Sequence, residues 1–140
     1  MKKYLTLLIA FLSLIAVSQA QSTVEGKWKT IDDETGKMKS IVELKVKNGK
    51  LYGTIVALNP DSDPNKVCTE CTDHRKGKKI IGMEIISGLK NDDAVWEGDD
   101  GILDPENGKL YDCKIWVEDG KLQVRGYIGF LFRTQTWIKV

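Results

Sequence analysis

Residues 107–128 read NGKLYDCKIWVEDGKLQVRGYI, and the phrase that opens this stretch returns within it as Asp119-Gly120-Lys121-Leu122 and earlier in the chain as Asn48-Gly49-Lys50-Leu51. Asn-Gly and Asp-Gly readily take positive φ at both central positions of a type I′ turn, whose twist suits the strands it joins. Each copy therefore predicts a hairpin. Between the two turns of the stretch, side chains alternate: Tyr111, Cys113, Ile115 and Val117 share one face, while Asp112, Lys114, Trp116 and Glu118 share the other. The next run repeats the pattern, with Leu122, Val124, Gly126 and Ile128 inward. A looser copy, Thr35-Gly36-Lys37-Met38, suggests the same punctuation near the start.

The period of two extends outward into eight strand candidates, at 24–31, 40–47, 51–58, 80–89, 94–98 continuing towards 103, 110–118, 122–129 and 133–140. Val42, Leu44 and Val46 share one face of the second, with Glu43, Lys45 and Lys47 on the other. Residues 59–79 hold Pro60, Pro64 and two of the cysteines and read as one long loop. Eight antiparallel strands with a single apolar face close on themselves, because an open sheet leaves long edges unpaired. Successive hairpins favour an all-β, eight-stranded antiparallel up-and-down barrel, with a sandwich as the competing architecture. Such a barrel is filled by its own side chains or holds one small ligand.

The first twenty residues are of another kind. Lys2 and Lys3 precede an uncharged apolar run at 5–17, and Ser18-Gln19-Ala20 places small residues where a signal peptidase cuts. The expectation is a signal peptide at 1–20 and a single barrel domain at 21–140, exported to the periplasm or beyond, with no transmembrane anchor after cleavage. Removing Lys2 and Lys3 lowers the basic count from 21 to 19 against 20 acidic residues. With charges of both signs interleaved along the strands, the chain has no basic face for nucleic acid.

Gly26-Lys27-Trp28 in the first strand and Arg133 at the head of the last resemble the edges of the lipocalin superfamily, where the tryptophan closes one end of the barrel and an arginine lies across its ring. The resemblance implies a Trp28–Arg133 stack. The mature chain as a whole more closely resembles a family of small exported bacterial proteins known as domain of unknown function 2147, itself lipocalin-like. That resemblance is carried by Gly26-Lys27-Trp28-Lys29-Thr30, Gly82-Met83, the run from Ile102 to Lys109, Val124-Arg125-Gly126-Tyr127-Ile128-Gly129 and Arg133-Thr134-Gln135-Thr136-Trp137. The chain departs from the pattern at Gly98-Asp99-Asp100-Gly101 and at Phe132. The resemblance implies a fold and an export route; it brings no activity or site.

Three cysteines in an exported chain leave one over. A turn through Thr69-Glu70 allows a Cys68–Cys71 bridge, the favoured pairing; a longer bridge from the loop to Cys113 needs that residue at the barrel rim, whereas its phase is inward. Cys68, Cys71 and His74 lack the second ligand pair of a closed zinc site, so no metal or other cofactor is expected. His74, the single histidine, and Arg75 read as solvated loop residues. The carboxylates at 99, 100, 104 and 106 are accounted for by turn chemistry.

No constellation names a reaction, so the reading is a non-enzymatic barrel. The candidate cavity wall is Val42, Leu44, Ala57, Tyr111, Ile115, Val124 and Gly126, with Ala57 and Gly126 leaving room for a small, largely apolar molecule and Tyr111 supplying a polar handle. The competing reading is an envelope interaction protein using an outer face of Trp116, Arg125 and Tyr127, and behind it stands a Cys68-x-x-Cys71 redox or metal-binding protein, for which the loop offers no helix N-terminus to lower a thiol pKa. Trp137, in phase with Arg133 and Gln135, is expected at the surface as well.

Overall fold

The computed structural model describes residues 24–140, so the expected signal peptide lies outside the described residues. The eight strands are β1 (Gly26–Ile31), β2 (Met38–Lys47), β3 (Lys50–Leu58), β4 (Glu84–Asp92), β5 (Val95–Asp104), β6 (Lys109–Glu118), β7 (Lys121–Ile128) and β8 (Leu131–Lys139). They pair in chain order, every pair antiparallel, and β8 returns to β1 to close the barrel.

Alternating connections give the barrel two different ends. At one, β2–β3, β4–β5 and β6–β7 are joined by two-residue turns, and Asn48, Asp93 and Asp119 there take left-handed φ of 52°, 57° and 51°. Asn and Asp tolerate that region because their short polar side chains bond locally. At the other end lie the connections 32–37, 59–83, 105–108 and 129–130. Asn107-Gly108 behaves differently from its two sister phrases. Gly108 alone is left-handed, at 73°, and closes a four-residue connection by donating its N–H to Asp104 O at 2.8 Å. Pro105 and Glu106 lengthen that turn, and a Cβ on Gly108 would collide with the backbone of Glu70 and Cys71 in the long loop.

The long loop runs to Met83, four residues past the expected limit. Gly82, at φ 91°, turns the chain so that Gly82 N–H donates to Ile55 O and Ile55 N–H to Met83 O, which delays the start of β4. Two fastenings hold the loop. Cys68 and Cys71, both fully buried, form a disulfide with Cα atoms 5.5 Å apart, as the turn-compatible spacing allows. Arg75 is buried rather than solvated: its guanidinium pairs with Asp73 at 2.6 Å and donates to Glu84 O at 3.0 Å. The partner holds the Asp73 carboxyl down, to about 2.

The closed half is solid. Leu44, Leu51, Leu89, Trp96, Ile115 and Leu122 fill it, and a Cβ on Gly53 would stand 2.8 Å from Leu44 Cδ2. Trp28 lies on the floor, 1% exposed, with its indole N–H donating to Val24 O at 2.9 Å. The cation over its ring is Lys139, 4.6 Å from the centroid, not Arg133. Register explains the correction. Lys139 sits directly opposite Trp28, whereas Arg133 is opposite Gly126, six residues and about 20 Å nearer the other end of the same strand. There Arg133 pairs with Asp33.

Candidate functional site

The open half encloses a cavity of about 640 Å³. Its inner wall comes from Ile55, Leu58, Ile80, Ile85, Ile102, Leu103, Val124 and Trp137, contributed by β3, β5, β7, β8 and the ends of the long loop and β4. Thr30 and Ser40 face into it from adjacent strands and satisfy one another, their hydroxyls 2.7 Å apart. Tyr111 reaches the mouth, where its hydroxyl accepts a hydrogen bond from Asn107 Nδ2 at 2.8 Å.

Of the seven residues expected to form the wall, Tyr111, Val124 and Gly126 line the cavity. Val42, Leu44 and Ile115 are inward as predicted, but they are fully buried in the packed half and present nothing to the open space. Ala57 faces away. Opposite Ile41 and Val42 the ladder skips Val56, a bulge in β3 that pairs Ala57 with Ile41 and Leu58 with Ser40, so the inward phase of β3 passes from Ile55 to Leu58. A single inserted residue reverses every side chain beyond it.

Trp137 is also corrected, because its 3% exposure and place in the wall make it an inner residue. It does share a face with Arg133 and Gln135, and Gln135 Oε1 accepts its indole N–H at 3.1 Å. That face is the inner one. Residues directly opposite across a ladder share a face, and Trp137, Gln135 and Arg133 stand opposite Leu122, Val124 and Gly126. The period in β8 is correct; its polar members face the cavity instead of the outside.

Ions ring the mouth. Lys39 Nζ on β2 meets Glu106 Oε1 on the β5–β6 connection at 2.7 Å, and since these elements are not neighbours in the barrel the pair crosses the opening. Arg133 meets Asp33 across the seam of β8 and β1, where the ladder is confined to Trp28–Lys139 and Lys29–Ile138. A smaller polar recess of about 220 Å³ occupies this gap, lined in part by Asp32, Asp33 and Gln135. Hydrogen bonds from the Thr35 and Glu34 N–H groups lower the Asp32 pKa. Among the described residues no group of three His, Cys, Asp or Glu is placed to hold a metal ion. Cys113 is a free, buried thiol whose pKa is pushed up to about 12 by burial.

On the outside, Trp116, Arg125 and Tyr127 come together on adjacent strands. The Arg125 guanidinium lies between two rings, 4.9 Å from the Trp116 centroid and 4.4 Å from that of Phe132, and its Nε–H donates to Thr134 Oγ1 at 2.8 Å. Tyr127 packs 5.9 Å from Phe132. Arg125 is thus already held by its neighbours, and Lys114 lies over the Tyr127 ring, 5.7 Å from its centroid.

A family model described as an uncharacterized protein conserved in bacteria, domain of unknown function 2147, matches residues 26–139. Among solved structures, protein HP1028 from Helicobacter pylori, described as belonging to the lipocalin family, is 21% identical and covers 84% of this chain and 82% of its own, with a TM-score of 0.71. That likeness establishes a lipocalin-like barrel. No curated protein matches the chain.

Proposed function

Because this chain belongs to the DUF2147 family, whose description assigns no activity, we propose from the cavity itself that the protein binds a small, largely apolar molecule inside the barrel and does no chemistry on it. The observation that carries the reading is a chamber of about 640 Å³, within the range of small-molecule sites, whose inner wall is aliphatic and aromatic and whose mouth is polar, above a solid floor. A chamber lined by Ile, Leu, Val and Trp rewards burial of apolar surface at roughly 25 cal/mol per Å². Tyr111, Gln135 and the ion pairs at the mouth supply polar contacts for the outer end of the guest. The lipocalin-like fold of the solved relative supports the same reading. We further propose a signal peptide at 1–20 and export to the periplasm or beyond, which N-terminal sequencing of envelope-derived protein tests.

The outer face of Trp116, Arg125 and Tyr127 is the second reading, as the docking face of an envelope protein. Arg125 spends its guanidinium on Trp116, Phe132 and Thr134, which leaves less for a partner. Mass spectrometry of small molecules released from natively purified protein, followed by displacement of an apolar fluorescent probe, tests the first reading. A protein that carries nothing and takes up no probe refutes it.

A further inference from the structure

We propose that the tip of the β7–β8 hairpin docks on an anionic lipid surface. Three hairpin tips at the closed end carry no large apolar side chain, at Asn48-Gly49, Asp93-Ala94 and Asp119-Gly120, in keeping with the usual chemistry of turns. The β7–β8 tip reads Ile128-Gly129-Phe130-Leu131-Phe132. Its large side chains are 65% exposed at Ile128, 92% at Phe130, 63% at Leu131 and 59% at Phe132. Of the other exposed large hydrophobics among the described residues, Val67 and Leu110 stand singly and Ile138 and Val140 make only a pair. The strands stay paired up to Ile128 and Leu131, so a two-residue turn holds this apolar group out as a convex point.

Charge accompanies it. From Lys121 to Val140 the chain carries Lys121, Arg125, Arg133 and Lys139 and no acid. Arg125 and Arg133 stand nearest the tip; Arg133 is paired with Asp33 of the 32–37 connection, and Arg125 has no carboxylate partner among the described residues. Arg125 is held on the outer face by Trp116, Phe132 and Thr134, at the height where headgroups would lie when the tip enters the acyl boundary.

Area and shape select the occupant. A stable pairing of two protein copies buries about 800 Å² on each side, whereas a five-residue point offers a few hundred. Two tips brought together would also oppose like charges. Entry into the headgroup–acyl boundary, about 5–10 Å deep, needs only a small convex apolar group with cations behind it. Ile128, Leu131 and Phe132 line the mouth of the cavity as well, so docking by this point turns the mouth towards the acyl layer.

The test uses the purified protein with vesicles of phosphatidylethanolamine and phosphatidylglycerol, and with vesicles of phosphatidylcholine alone. The protein should sediment with the anionic vesicles, less with the neutral ones, and less as salt rises. Phe130→Asp should cut the bound fraction about tenfold or more, while Val140→Asp at the opposite end leaves it unchanged. Phe130→Trp should add emission that moves to the blue on anionic vesicles and is quenched by brominated acyl chains. Phe130 lies outside the cavity wall, so Phe130→Asp should keep its uptake of an apolar probe, which separates this inference from the proposed function. Three results overturn it: wild-type protein that stays in the supernatant, equal binding to both vesicles, or Phe130→Asp sedimenting like wild type. A wild-type dimer that ignores vesicles and is dissolved by Phe130→Asp would make the occupant a second copy.

Discussion

The ammonium of Lys139 rests 4.6 Å from the centre of the Trp28 ring and donates a hydrogen bond to Glu25 O at 2.7 Å, tying the end of the chain to the start of the barrel. The two residues are direct ladder partners in a seam of two pairs, the shortest ladder of the barrel. A cation on that ring therefore supports the join where hydrogen bonds are fewest. Lys139→Ala should cost about 1 kcal/mol in urea unfolding, within the range of a cation–aromatic contact at a partly exposed site. A variant as stable as the wild type would show that the contact adds nothing.

The two loop-end arginines should rank in the order opposite to their sequence appearance. Arg133 pairs with Asp33 through a side chain 69% exposed, and exposed pairs contribute about 0–1 kcal/mol. Arg75 is buried against Asp73 and the Glu84 carbonyl, so Arg75→Ala strands two partners and should cost about 2–3 kcal/mol. Chemical unfolding of both variants decides it. Equal losses would mean that the 59–83 loop is not fastened by this arginine.

Asp73 gives the same fastening a pH signature. Its carboxyl titrates at about 2 in the fold against an ordinary 3.8, because Arg75 hydrogen-bonds to the charged form. A lowered folded value means that the stabilisation is complete above the ordinary value and fades as pH falls through the folded one. Asp73→Asn should therefore unfold at lower temperature than wild type at pH 7, and the gap should shrink between about pH 4 and pH 2. A gap of constant size over that window would assign the difference to packing instead.

Cys113 should behave as one protected thiol. Its place among the inward residues of β6 and its pKa, raised to about 12 by burial, keep it from forming thiolate near neutrality. Thiol labelling should count none in the native protein and one after denaturation without reductant, and peptide mapping should put the label on Cys113. A labelled Cys68 or Cys71 would contradict the bridge between them.

Much of this fold was legible because period-two patterning and turn chemistry are local. The inward phases of β6 and β7, from Tyr111 to Val117 and from Leu122 to Gly126, match the observed faces, and the 68–71 spacing matches the disulfide. Non-local effects were not legible. Ala57 lost its place to a bulge at Val56, the residue just before it, and nothing in the local alternation announces which residue the partner strand leaves unpaired. Trp137, Gln135 and Arg133 looked like an outer face because polar residues usually face water; here they face a chamber with a polar mouth. Val42, Leu44 and Ile115 had the right phase but the wrong height, since alternation reports the face of a strand and not the depth at which a barrel stops being filled.

The height of the cavity supplies the decisive test of ligand binding. Gly126 stands opposite Arg133 near the mouth, and a Cβ there would meet Tyr111 at an ordinary 3.7 Å, so a larger side chain is admitted without displacing backbone. Gly126→Leu and Val124→Phe should fill the chamber and weaken an apolar fluorescent probe at least about tenfold, because the volume they take is volume the guest needs. Leu44→Met, a swap in the packed half, and Trp116→Ala, on the outer face, should leave the probe affinity within about twofold. Circular dichroism and the unfolding midpoint establish that the filled variants keep the barrel. Probe binding that survives both filled variants but fails in Trp116→Ala would move the site from the chamber to the outer aromatic face.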